Sequence, residues 1–136
     1  MKKILPLFLL ILLLPINAIA DLVLIAHLHA PVNSISRDEV INIYMGRLRR
    51  FPTGESVQPV DGPDKAQFYR LLVNKELADI NAYWARLVFS GRTSPPRTFD
   101  QSTAVVDYVS ENPDAVGYIQ RTELNPNVKV ILEMEH

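Results

Sequence analysis

The apolar and polar positions divide the chain into strands and helices that alternate. Residues 22–26, Leu-Val-Leu-Ile-Ala, form an unbroken β-prone run that is too short for a helix and predicts a strand buried on both faces. A polar turn with Pro31 and Asn33 follows, and then Ser36-Arg37-Asp38-Glu39 has the form of a capping box. In that motif the serine hydroxyl accepts from the Glu39 amide while the Glu39 carboxylate reaches back to the serine amide. Val40, Ile41, Tyr44 and Met45 then make one helical stripe, and Gly46 stands where a helix would stop.

Residues 47–56 read as a loop around a Pro52-Thr53-Gly54 turn, and residues 57–60 as a short strand in which Pro59 suits an edge or a strand end. Asp61-Gly62-Pro63-Asp64 reads as turn and helix start, with Pro63 near the first helical position; Phe68, Leu71 and Leu72 give that helix a core face and Asn74 ends it. A further helix over 76–89 sets Leu77, Ile80, Trp84, Leu87 and Val88 on one side. Residues 91–98, with Gly91, Pro95 and Pro96, read as loop, and Asp100 or Ser102 can cap a helix carrying Val105, Val106 and Val109 before Pro113 stops it. Two late β-prone runs, 116–119 and 128–132, complete an α/β sandwich around a sheet of about four or five strands.

Composition changes this picture at one end. Of the first 20 residues 15 are apolar, which leaves 50 of the remaining 116, an ordinary fraction for a globular domain. Lys2 and Lys3, an apolar run over 4–16 and Ala18-Ile19-Ala20 together predict a cleavable export signal over residues 1–20 and a domain over residues 21–136. Thirteen residues rise only about 20 Å as a helix, short of the roughly 30 Å of hydrocarbon that an anchor must cross. Asp21 stands where a lipoprotein has its cysteine, so the expected product is a periplasmic protein without a lipid anchor. It carries 12 basic and 15 acidic residues, a net charge of 12 − 15 = −3, which disfavours nucleic acid as a partner. The absence of cysteine excludes disulfides, thiol catalysis and thiolate metal sites.

Little catalytic chemistry is legible. No Gly-x-Ser-x-Gly elbow or His-Glu-x-x-His helix occurs, and the carboxylates are scattered over predicted polar faces, so no enzymatic activity and no cofactor are assigned. His27 and His29 share a face if the first strand continues that far, but no third ligand accompanies them and no metal site is assigned. The arginines at 47–50 and 92–97 are candidates for contact with an oxyanion, alongside helix-start amides.

The order of these segments resembles a known family. Ser36 through Gly46, Arg47, Phe51, Gly54 and the Val57-Gln58-Pro59-Val60 strand are similar to the helix, "Gly-Lys, aromatic, Gly" loop and "x-Pro-Val" strand of phosphate-binding proteins of ABC transporters. Asn112 to Ile119 (NPDAVGYI) resembles the family's Pro-Gly-Ala-Ile-Gly-Tyr-Val signature, and Phe68 fits the helix after the strand. The resemblance implies a three-layer sandwich with a mixed sheet, one lobe of a type II periplasmic binding protein, in a half-size chain. It also implies a function: binding phosphate or another small oxyanion for a membrane partner. The family's arginine and Ser-Gly-Thr turn are replaced here by Asp61, Gly62, Pro63 and Asp64, of which Pro63 has no amide hydrogen and the carboxylates only accept. The ligand contacts expected instead are Ser34 and Ser36 at the first helix start, with Arg47, Arg92 and Arg97. The alternative is a ligandless module docking to a sensor, porin or transporter of the inner or outer membrane. The sequence leaves the oligomeric state open.

Overall fold

The computed structural model describes residues 21–135 and Lys3; the rest of the expected export signal lies outside the described residues. In chain order the elements are β1 (Leu22–His27), α1 (Arg37–Tyr44), β2 (Gln58–Asp61), α2 (Lys65–Val73), α3 (Leu77–Phe89), β3 (Arg97–Thr98), α4 (Ser102–Glu111), β4 (Ala115–Gln120) and β5 (Val128–Met134). A short 3-10 turn, Arg121–Glu123, links the last two strands.

The five strands form one sheet in the order β3-β2-β4-β1-β5. β2 is parallel to β3 and β4, whereas β1 runs against both of its neighbours, β4 and β5. The sheet is therefore mixed. Alternation along β1 explains the layers: Leu22, Leu24 and Ala26 face a core shared with α1, α2 and α3, while Val23 and Ile25 face α4 on the other side. Both faces are covered, which accounts for the continuous apolar run in β1. Gly117 lets α4 approach closely, since a Cβ there would stand 2.7 Å from a Val105 methyl and 3.1 Å from a Val60 methyl. This is the α/β three-layer architecture expected from the sequence.

Most local expectations hold. Both bonds of the Ser36–Glu39 capping box are present at the start of α1, and Asn74 ends α2 in the left-handed conformation. Gly46 follows α1 at φ 74°, and a Cβ there would also stand 2.6 Å from the Trp84 ring. Four expectations need correction. Residues 97–98 were expected in a loop but form β3, a two-residue edge strand positioned by pairing with Val60 and Asp61. Pro63 lies in the turn ahead of α2 rather than near its first helical position. Neither Asp100 nor Ser102 caps α4: Ser102 is already helical, and Gln101 occupies the cap position without a side-chain bond. β1 ends at His27, so His29 belongs to the next turn, where its amide donates to His27 Nδ1 at 3.0 Å.

Candidate functional site

In open α/β sheets, ligands commonly sit beyond the carboxyl ends of the parallel strands. Here that position at β2 is filled from within. β2 runs one residue further than the sequence pattern indicates, so Asp61 belongs to the strand and is only 1 % exposed. The Tyr118 hydroxyl donates to Asp61 Oδ1 at 2.8 Å, the Tyr69 hydroxyl donates to both carboxylate oxygens at 3.1 and 3.2 Å, and Lys65 Nζ lies 3.8 Å from Oδ2. The Tyr118 oxygen also accepts from the Gly62 amide at 3.2 Å, which ties the turn to β4. Aromatic packing holds these phenols in place: Tyr118 stacks on Phe68 with centroids 3.8 Å apart, and Tyr44 meets Phe68 edge-on at 4.7 Å while donating to the Val60 carbonyl at 2.9 Å.

The electrostatics follow from burial. Loss of hydration pushes the Asp61 carboxyl up from 3.8 to about 6, although hydrogen bonds from Tyr118 and Tyr69 and the charge of Lys65 pull it down. The Tyr69, Tyr118 and Tyr44 phenols are all raised, first by burial and then by the Asp61 charge, so they remain donors. A carboxylate in this position repels a second anion at the same turn. The carboxylates therefore are not all on polar faces, as the sequence suggested. The four turn-forming residues in a row concealed the burial of the first.

The opposite end of β2 is open. A cleft of about 390 Å³ is lined by Arg49, Gln58, Thr93, Ser94 and Arg97, among others. Arg49 Nη2 donates to the Ser94 carbonyl at 2.6 Å and lies 3.4 Å from Thr93 Oγ1; partial burial lowers the pKa of its guanidinium. The Arg97 guanidinium lies over the Phe99 ring at 4.6 Å and near the Tyr108 ring at 5.6 Å, a cation–π arrangement on two rings that are not part of the cleft lining.

The residues expected to bind an oxyanion fall into separate groups. Ser34 and Ser36 are exposed at the start of α1, and the Ser36 hydroxyl already accepts from the Glu39 amide at 3.2 Å while Glu39 Oε2 accepts from the Ser36 amide at 2.9 Å. Arg47 lies beyond the other end of α1, which eight residues at 1.5 Å each make about 12 Å long. Arg92 is exposed in the loop after α3, and Arg97 alone of the five lines the cleft. Its partner there, Arg49, belongs to the 47–50 candidate loop but is not one of the five residues singled out. Arg47, Arg49 and Arg50 look alike in sequence; pairing of the loop with itself, through the Arg50–Ser56 bridge and the Val57 amide on the Arg49 carbonyl, decides which one faces residues 93–94. Among the described residues no group of three or more His, Cys, Asp or Glu could hold a metal ion.

Solved structures similar to this chain include proteins described as phosphate-binding or phosphate-transport proteins. An ABC-type phosphate transport receptor from Vibrio cholerae matches at a TM-score of 0.64 with 16 % identity, over 82 % of this chain and 46 % of its own. A Clostridium perfringens protein described as a phosphate ABC transporter substrate-binding protein with bound phosphate matches at 0.63 with 19 % identity, over 82 % of this chain and 45 % of its own. PstS from Borrelia burgdorferi matches at 0.55 with 11 % identity, over 82 % and 47 %. The chain thus spans a little under half of these proteins, as a single lobe does, and at these identities the likeness shows the fold. No protein-family model matches the chain, and none of the curated proteins does.

Proposed function

We propose that this protein is an exported, periplasmic lobe of the solute-binding type, without enzymatic activity, that takes phosphate or another small oxyanion in the cleft between Arg49 and Arg97. The observation that supports this reading is that Arg49 and Arg97 line one open cleft together with Thr93 and Ser94. Guanidinium groups match the geometry of tetrahedral oxyanions. The cleft is open, so affinity is weak, because enclosed sites bury most of a small ligand and open ones leave it competing with water. Millimolar phosphate or sulfate is expected to raise the melting temperature of the mature protein, since a ligand that binds only the native state stabilises it by mass action. Arg97→Ala is expected to abolish that shift. An unchanged melting temperature with both anions rejects the reading.

A second reading, a lobe that serves as a docking module for a membrane protein, is favoured by the Asp61 cluster. The turn that binds phosphate in the resembled family holds a sealed carboxylate here, so the lobe keeps its architecture without that contact.

A further inference from the structure

We infer that the end of the molecule formed by residues 46–50 and 88–97 is a docking surface for an acidic groove on a protein partner, with Phe89 as its anchor. The inference rests on the exported-lobe reading; the surface shares Arg49 and Arg97 with the oxyanion cleft, so its test uses Phe89, Arg47, Arg50 and Arg92, none of which lines that cleft. Phe89 is 95 % exposed at the last residue of α3, beside Val88 at 51 %, and Leu48 is 40 % exposed in the neighbouring loop. Although Val88 shares a helical face with Trp84, which is buried, and Leu87 still packs against the core, α3 outruns the core by its last two residues.

That end is held in place by backbone bonds. The Gly91 amide donates to the Val88 carbonyl at 3.0 Å and the Arg92 amide to the Leu87 carbonyl at 3.2 Å, with Gly91 in the left-handed conformation at φ 72° that this closure requires. The two loops meet through Arg49, which bonds to Ser94, and through the close approach of Gly46 to Trp84 and Thr93. An exposed aromatic side chain on a backbone fixed in this way is suited to filling a pocket, the role in which aromatic residues and arginine concentrate binding energy.

Charge selects the partner. Six of the 12 basic residues of the 21–136 chain, Arg47, Arg49, Arg50, Arg86, Arg92 and Arg97, lie in these segments and the adjoining end of α3, and no Asp or Glu occurs between Glu39 and Glu55 or between Asp79 and Asp100. The chain as a whole carries −3, so this basic concentration is local, and a complementary surface is acidic over a similarly small area. A bilayer fits less well. Interfacial helices present a broad apolar face, whereas the apolar stripe of α3 is occupied by the core at Ile80 and Trp84 and only its tip is exposed.

The test places photo-reactive p-benzoylphenylalanine at position 89 of the full chain in the cells that produce it, with the same probe at exposed Thr122 as control. The expected result is one dominant protein adduct from position 89, mapped by mass spectrometry to an acid-rich segment of the partner and reduced at least tenfold when Arg47→Glu, Arg50→Glu and Arg92→Glu are combined. The melting temperature of the reversed variant serves as the check that it folds, and an unfolded variant is replaced by the single Arg92→Glu change, for which at least a threefold loss is expected. No adduct, equal adducts from 89 and 122, an adduct to a second copy of the chain, or an adduct unaffected by charge reversal overturns the inference. So does flotation of the purified protein with phosphatidylglycerol–phosphatidylethanolamine vesicles that Phe89→Ser abolishes. A phosphate-induced melting shift that survives in Phe89→Ser separates the two proposals, because the anion cleft can then stand while the docking surface falls.

Discussion

The two ends of β2 treat charge in opposite ways. At its carboxyl end a single carboxylate, Asp61, is shut away from water beneath two phenols and a stacked aromatic block. Toward its amino end, at Gln58 three residues earlier, Arg49 and Arg97 border an open cleft, the surrounding loops carry further arginines, and exposed Phe89 ends α3. The first arrangement consumes the hydrogen-bonding capacity of its side chains internally. The second uses part of its capacity internally, since Arg49 bonds to Ser94, but keeps its charged groups at the surface. One short strand thus seals an acid at one end and has arginines at the surface near the other.

The comparison can be broken most forcefully at the closed end. Tyr118→Phe deprives the buried carboxylate of its shortest bond and the Gly62 amide of its acceptor, and a cost of about 3 kcal/mol is expected in urea unfolding at pH 7. A loss below about 1 kcal/mol shows that Asp61 is not held as described. The next effect is on pH. Because the folded-state value of Asp61, about 6, lies above its ordinary 3.8, the unfolded chain releases this proton first as pH rises. Its contribution therefore favours the folded state at low pH and is lost between about pH 4 and pH 6. Relative to Asp61→Asn, the stability of the native protein is expected to fall by about 2 kcal/mol from pH 4 to pH 7; parallel curves for the two proteins contradict the burial argument. The smallest effect belongs to the open end. Arg97→Ala removes only an exposed cation–π contact, so a loss of less than about 1 kcal/mol is expected by the same unfolding measurement. A larger one marks Arg97 as a structural residue rather than one available to a ligand.

The sequence made the covered sheet and the helices legible because their signals are local. The 22–26 run, the Ser36–Glu39 box and the left-handed Asn74 each carry their own instruction within a few residues. β3 carries none: Arg97 and Thr98 are exposed and become a strand only because Val60 and Asp61 lie alongside. Asp61 escaped for a related reason. Its neighbours Gly62, Pro63 and Asp64 spell a turn, while the tyrosine that seals it from β4 is 57 residues away. Of the five residues expected to hold an oxyanion, Arg97 lines the cleft, and the choice of Arg49 over Arg47 depends on how a loop folds back on itself.

The place of β1 also bears on how this chain comes to be folded. The first strand lies between β4 and β5, with Leu22 opposite Gln120 and His27 opposite Val128, so its partners arrive roughly a hundred residues later. Until they do, β1 has no neighbour in the sheet and the core on both its faces is incomplete. A chain made from its amino end therefore cannot close its core until nearly its whole length is present, so the timing of folding follows from the strand order.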